Sequence, residues 1–269
     1  MTEMKVHFDR PPASLRAATG ALNIRKCEGL AEMQAAFALQ KEVWKFSDAD
    51  LVPVRMFVVA SKIGGQVIGA FDRGELVGFA FAIPGRRNGH CYLHSQMLAV
   101  REEYRNTGLG RRLKLFQRDE ALARGIELME WTFDPLEIKN AYLNIEKLGA
   151  IARRYNVNQY GITSSPLQGG LPTDRLIAEW WMKSRRVEAA LAGAQKPHDE
   201  VRARIDVPAE IYQWKDAAAT RAQALAVQNK NRERFTEAFA EGLSVLGYER
   251  NGRGDGAFLL GVWDETLIY

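Results

Sequence analysis

Cysteine is nearly absent from the chain. Cys27 and Cys91 are the only two in 269 residues, too few for a disulfide framework or a cysteine-rich zinc site, and they suit a reducing cytoplasm. No apolar run is long enough to span a bilayer, and the polar start from Met1 to Gly20, with Pro11-Pro12, lacks the apolar core of a signal peptide. Charge of one sign is scarce too. A net charge of +4 argues weakly for nucleic acid as a partner. No cluster of His, Cys, Asp and Glu carries metal-ligand spacing, so no metal is expected. What remains, with 46% hydrophobic and 26% charged residues, is an ordinary globular chain long enough for a substantial core and more than one minimal module.

The most informative stretch runs from Val100 to Leu113. An apolar strand ending Met97-Leu98-Ala99-Val100 passes into a polar loop, then Arg105-x-x-Gly108-x-Gly110, then a periodic helix. Glycines let the backbone bend sharply and let a ligand approach it. The first amides of the helix lack carbonyl partners and carry the positive end of its dipole, a place that binds phosphate. A third glycine, as in a dinucleotide fingerprint, is replaced by Leu113, and no Gly-Lys-Ser or Gly-Lys-Thr follows as in a P-loop. Arg101, Arg105, Arg111, Arg112, Lys114 and Arg118 crowd this loop and helix, with Arg86 and Arg87 upstream, which favours an anionic nucleotide over a merely solvated helix face.

Periodicity places a short strand at Ala21 to Arg25 and a helix at Gly29 to Val43, with Leu30, Met33, Phe37 and Val43 apolar. Strands over Val67 to Phe71 and Leu76 to Ile83 are joined by Asp72-Arg73-Gly74. The Pro84 to Gly89 turn then leads into Cys91 to Val100. The phosphate-loop helix covers about Leu109 to Ala123, then come a strand from Glu127 to Phe133 and a helix from Ile138 to Leu148 capped by Gly149. Two further strands are expected near Asn156 to Thr163 and Arg175 to Met182. Beyond Ser184 lie a helix over Arg185 to Ala192, a strand near Ala203 to Val207, helices between Trp214 and Leu246, and a strand over Ala257 to Val262. Three segments are expected: 1–20, 21–183 and 184–269, the last extending the sheet, covering a cleft or forming a dimer contact.

The Arg105-x-x-Gly108-x-Gly110 loop resembles the acyl-CoA pyrophosphate loop of the GNAT N-acyltransferases, and Asn140-Ala141-x-x-Asn144-Ile145-Glu146-Lys147-Leu148-Gly149 resembles that family's second signature helix. The segments His94-Ser95-x-Met97-Leu98-Ala99-Val100, Leu113-Lys114-x-x-Gln117-Arg118, Trp131-Thr132-Phe133-Asp134-Pro135-Leu136 and Leu171-Pro172-Thr173-Asp174-Arg175 are similar to one branch of it. The resemblance implies a mixed α/β (α+β) fold: a central, mostly antiparallel twisted sheet flanked by helices, here with a C-terminal α/β extension.

It also implies a mechanism. Acetyl-CoA, or another acyl-CoA such as succinyl-CoA, would lie against the backbone of Leu98, Ala99 and Val100, on the loop Arg105, Asn106, Thr107, Gly108, Leu109, Gly110 and Arg111, and beside Asn140. A primary amine of a small molecule such as an amino acid would attack the thioester directly, its oxyanion held by backbone N–H groups. Counting back six residues from Val100 gives His94 as the general base. Simple alternation puts His94, Gln96 and Leu98 on one face. The family's proton-donating tyrosine is replaced by Ile145, so either the thiolate leaves unaided or through water, or another group serves, such as Tyr142, Tyr155 or Tyr160. Trp44, Arg86, Arg87 and Arg175 are the candidate substrate contacts, the arginines for a carboxylate. Two other readings stay open: a non-catalytic acyl-CoA-binding module, and a nucleic-acid-associated protein using the basic helix. The expected partner is a small amine rather than nucleic acid or a membrane, with a homodimer as a further expectation.

Overall fold

The computed structural model describes residues 22–161, 164–165, 168–194, 200–263 and 265. The Met1 to Gly20 segment falls outside them. One ten-stranded sheet organises the chain, in the order β1-β2-β3-β4-β5-β7-β6-β9-β10-β8. Strands β1 (Asn23–Lys26), β2 (Gln66–Asp72), β3 (Glu75–Arg87) and β4 (His90–Val100) form antiparallel neighbours. The Asp72-Arg73-Gly74 hairpin turn has positive φ at Arg73 and Gly74, as a tight turn demands. The next turn is tighter than the Pro84 to Gly89 estimate: β3 continues through Arg87 and only Asn88 and Gly89, both with positive φ, make the corner.

Helix α1 (Gly29–Trp44) packs on one face of these strands through Met33, Ala36, Leu39 and Gln40. Leu30 is exposed and Phe37 packs at the edge of that face, both along a groove of about 610 Å³ against α2 (Val54–Lys62). Pro53, in extended backbone, is the cap residue just before α2. Phe57 and Ala60 of α2 complete the layer over Phe79 and Phe81 of β3 and Met97 and Ala99 of β4. On the opposite face, α3 (Leu109–Ala123) sets Leu109 and Leu113 against Ile68, Ala70 and Ala80.

Strand β5 (Leu128–Phe133) runs parallel to β4 but is paired with it only at Leu93 with Met129 and His94 with Glu130. Beyond those two pairs the strands part. The second signature is a short α4 (Ile138–Ala141) that widens into a π-helical turn, Tyr142–Lys147, and ends at Gly149 with φ 74°. Strand β6 is Ile151–Asn156, earlier than the Asn156 to Thr163 estimate, because Gly149 ends the helix and the chain turns at once into Ala150-Ile151-Ala152, all buried. Strand β7 is Arg175–Trp181, followed by α5 (Arg185–Ala192), capped by the Ser184 hydroxyl.

The C-terminal elements extend the same sheet. They are β8 (Ala203–Val207), α6 (Ile211–Asp216), α7 (Arg221–Ala240), β9 (Leu243–Arg250) and β10 (Gly256–Val262). Strand β9 replaces part of the expected helix up to Leu246, since Gly242, with φ 80°, stops α7 and frees an alternating Leu-Ser-Val-Leu run. Buried ion pairs tie these elements to the rest. Lys215 reaches Asp134 (3.1 Å) and Glu137 (2.8 Å), and Arg232 reaches Asp174 (2.8 Å). Both aspartates belong to the motifs that carry the branch resemblance. Their carboxylates lock α6 and α7 to the sheet rather than pointing into the β4–β5 gap.

Candidate active site

Parallel strands bring their C-terminal ends to one edge, so the loop after β4 and the turn after β5 flank the same opening. Helix α3 starts at Gly108, whose φ of 86° excludes most side chains, and no side chain caps its first amides. A Cβ at Gly110 would meet Leu98 at 3.7 Å and Val100 at 4.0 Å, so the helix start lies open beside β4. Asn106 also has positive φ (61°). Thr107 donates its hydroxyl to Tyr104 O at 2.7 Å, and the Arg105 Nε donates to Val100 O at 3.3 Å. Loop residues 105–108 are exposed, whereas Leu109 is a core residue. Asn140 is exposed on α4, which follows β5 at the same end of the gap.

The basic crowd of the sequence is not one surface. Arg101 pairs with Glu75 (2.6 Å), Arg118 donates to Met182 O (2.9 Å) and Arg111 to Leu191 O (3.2 Å), while Lys114 is buried. Arg105 and Arg112 remain exposed.

A β-bulge sets the chemistry of β4. Phe81 of β3 faces Met97 and Ala82 faces Ser95, leaving Gln96 unmatched. The extra residue inverts the alternation. Leu98 packs with Leu109 on the α3 side, whereas His94 lies opposite Ile83 on the α1–α2 side. The single-face expectation for His94, Gln96 and Leu98 is therefore corrected by one residue of bulge. Burial lowers the His94 imidazole below its ordinary 6.5, as do the Lys114 and Arg154 cations, against the opposing pull of Glu130 and a hydrogen bond with Gln96. At neutral pH it is a neutral base.

Beside His94 runs an ion network. Glu130, at the His94 register position on β5, accepts both Arg87 guanidinium nitrogens (2.9 and 2.8 Å) and also pairs with Arg154. Glu179 on β7, facing Glu130, accepts from Arg153 (2.8 Å) and Arg154 (3.1 Å). The carboxylates are buried, yet the Arg153 and Arg154 side chains keep 43% and 40% of their surface exposed. Sequence reasoning missed Glu130, Glu179, Arg153 and Arg154. Their one signal was the presence of charges inside otherwise apolar strands.

Two loops meet above this face. Gln40 grips both Val52 backbone groups (2.8 and 2.9 Å), fixing the stretch between α1 and α2. Asp50 accepts from the Ser164 backbone and hydroxyl (2.8 and 2.5 Å), Ser47 N donates to Ser164 Oγ (2.9 Å), and Ser165 Oγ donates to Trp44 O (2.8 Å). Trp44 stacks on Phe46 and edges Phe79, so its ring packs the loop base. Arg175 donates to Gln168 Oε1 (3.1 Å) and lies over Tyr160, whose hydroxyl meets Thr132 Oγ1 at 2.9 Å. Arg86 is exposed at the hairpin, donating to Gly89 O at 3.3 Å. Tyr142 lies elsewhere, its ring flanked by Lys147 and by Arg250 of β9. Among the described residues no group of three or more His, Cys, Asp or Glu is placed to hold a metal, and no helix is long and apolar enough to cross a membrane.

A strand that parts from a parallel neighbour and runs through a glycine turn into an uncapped helix leaves backbone amides in an α/β fold open to an anionic group. Residues 31–143 match the model of the acetyltransferase (GNAT) family. That segment, less than half of the chain, is similar to the acetyltransferases of this family. The chain's fold is like that of solved GNAT structures. yncA of Salmonella typhimurium, whose structure holds acetyl-CoA, is 17% identical, with 62% of this chain and 96% of that one covered at a TM-score of 0.50. An N-acetyltransferase from Staphylococcus aureus Mu50 is 15% identical over 61% of this chain and 100% of its own, also at 0.50. A chain from Acinetobacter baylyi ADP1 gives 18%, 61%, 94% and 0.50 in the same order. No curated protein sequence matches the chain.

Proposed function

We propose that the protein transfers an acetyl group from acetyl-CoA to the primary amine of a small molecule, an amino acid in particular. The observation that carries this reading is the β4–β5 gap opening onto the uncapped start of α3. The pyrophosphate takes the amides of Leu109, Gly110 and Arg111, with Arg105, Asn106 and Thr107 around it. The backbone of Leu98, Ala99 and Val100, past the last β4–β5 pair, holds the pantetheine arm and donates to the thioester oxygen as charge develops there. Asn140 sits on the rim.

The acceptor enters on the opposite face, beneath the two joined loops. His94 takes the proton of the incoming ammonium, directly or through water, so that the nitrogen attacks as a free amine. Arg153 and Arg154, half-exposed and anchored by Glu179 and Glu130, present remaining guanidinium donors to the acceptor's carboxylate. Arg87, bound on both nitrogens by Glu130, orients that carboxylate rather than gripping substrate, and Arg175 and Trp44 shape the wall.

Calorimetric titration of acetyl-CoA, succinyl-CoA and CoA into wild type, Gly108→Val and Gly110→Leu tests the reading, with circular dichroism reporting the fold. Binding by wild type that falls at least tenfold in both folded variants supports the loop, and the preferred thioester names the donor. Failure of wild type to bind any of the three sinks the reading. Binding with no turnover across a panel of amino acids favours a non-catalytic acyl-CoA-binding module, which the buried, protonless Ile145 would suit.

A further inference from the structure

An amine that arrives as an ammonium loses two protons on acyl transfer, one before attack and one from the nitrogen of the tetrahedral adduct, and one proton joins the departing thiolate. His94 accounts for the nitrogen protons, passing the first to water before it takes the second. For the thiolate, Ile145 has nothing to give. Tyr142 packs toward β9, four strands from β4 in the sheet. Tyr155 donates to Asp174 Oδ2 at 2.7 Å, and burial pushes its hydroxyl pKa up, away from proton transfer. Tyr160 meets Thr132 on the exposed His94 side.

Lys114 differs from all of these. It projects from α3 into the sheet and is 3% exposed. Its Nζ touches both strands at the closed end of their gap: it donates to Ser95 Oγ on β4 at 2.7 Å and lies 3.8 Å from the ring centroid of Trp131 on β5. Ser95 in turn donates to Gln117 Oε1 at 3.0 Å, and Gln117 Nε2 is buried without a partner. No carboxylate pairs with Lys114 among the described residues. The groups around it are the Ser95 hydroxyl from β4, the Trp131 ring from β5 and the Gln117 amide from its own helix, with His94, next to Ser95, as its titratable neighbour. A buried ammonium with no anion is costly, and the cost is reduced when negative charge arrives beside it.

We propose that Lys114 is the proton donor to the departing thiolate, an inference that rests on the acyltransferase reading above. As the tetrahedral adduct collapses, the C–S bond breaks with its electron pair going to sulfur. A proton passes from Nζ to that sulfur, leaving a thiol and a neutral amine. Water returns a proton to Nζ once the thiol has gone. Burial lowers the Lys114 pKa to about 7, where an amine gives up a proton readily yet still holds one for much of the time. The bulge at Gln96 thus divides the labour of β4. It turns His94 to the amine side and Ser95, with Lys114, to the thioester side.

The test compares wild type with Lys114→Met and Lys114→Gln, two variants so that one misfolded protein does not end it. Acetyl-CoA affinity is measured first by calorimetry. Wild-type binding keeps the acyltransferase reading alive, and its absence defeats that reading and the proposal together. With binding in hand, both variants are expected to retain affinity within about threefold while kcat falls about 100-fold, and the alkaline limb of the kcat profile is expected to disappear. A second readout needs no turnover. The thiolate absorbance of bound CoA, titrated against pH, is expected to appear at lower pH than that of free CoA in wild type and to lose this shift in both variants. A thiol that ionises alike in all three proteins, or a kcat unchanged by either variant, would overturn the proposal and leave Lys114 a packing residue.

Discussion

The two faces of β4 handle charge in opposite ways. On the α1–α2 side every charge near His94 has a partner: Arg87 with Glu130, Arg154 with both glutamates, Arg153 with Glu179. On the α3 side a single ammonium, Lys114, has a hydroxyl and an aromatic ring but no anion. In the proposed reaction the paired face would stay balanced while a polar acceptor comes and goes, and the unpaired face would receive the negative charge of the leaving group. One extra residue in the strand, Gln96, separates them, which is why a histidine and a serine adjacent in sequence serve different compartments.

The comparison breaks most sharply at His94. His94→Ala is expected to lower kcat/KM for the amine by about 10²- to 10⁴-fold with little change in acetyl-CoA affinity. Rescue by added imidazole would assign the loss to proton transfer, whereas a parallel loss of donor binding would assign it to the structure of β4. In wild type the acidic limb of kcat/KM is expected below 6.5, because burial holds the imidazole neutral. Glu130→Gln sharpens the picture from the paired face. Glu130 supports the charged form of His94, so removing it is expected to move that limb to still lower pH. The same change leaves Arg87 and Arg154 without a shared carboxylate. Since both guanidinium groups are about a third exposed, the stability loss is expected to be about 1–2 kcal/mol rather than the larger cost of a fully buried break. Urea denaturation measures it.

Lys114→Met tests the other face with the opposite sign. Replacing an unpaired buried ammonium by an apolar side chain of similar volume is expected to raise stability by about 1–3 kcal/mol at pH 7. The unfolded lysine keeps its proton to about 10.5, the folded one only to about 7. Folding therefore releases a proton between those values, wild type gains stability as the pH rises through that window, and the advantage of the variant shrinks. An advantage independent of pH would mean that Lys114 holds its proton in the folded protein as firmly as in the unfolded chain.

The loop was legible in the sequence because its conformation restricts composition: Gly108 must take a φ that few other residues tolerate. His94 was legible by its place on the strand, but its face was not, since a bulge leaves no mark on the residue that causes it. Lys114 was hidden by company, one basic residue among six. Yet its i, i+3, i+7 relation to Gln117 and Ala121, both buried, sets it on the inner side of α3. Glu130 and Glu179 looked like stray charges in apolar strands because their arginines come from β3 and β6, far off in sequence. Helix α2 and strand β9 were lost for local reasons. Pro53 sits immediately before α2, where proline marks a loop as readily as a helix start, and β9 follows an alanine-rich helix with only Glu241 and Gly242 between them.

The smallest expected effect concerns the roof of the paired face. Asp50 joins the loop after α1 to the segment around Ser164, and those two hydrogen bonds hold its carboxyl below the usual carboxylate range. The contact lies at the surface, so its value for folding is small; its effect is on what passes beneath. Asp50→Ala is expected to raise KM for the amine a few-fold while leaving the acetyl-CoA Kd and the melting temperature nearly unchanged, because ordering a loop at the moment of binding draws on acceptor affinity. A rise in the acetyl-CoA Kd instead would place the joined loops over the donor, and the two faces of β4 would then share one entrance rather than having one each.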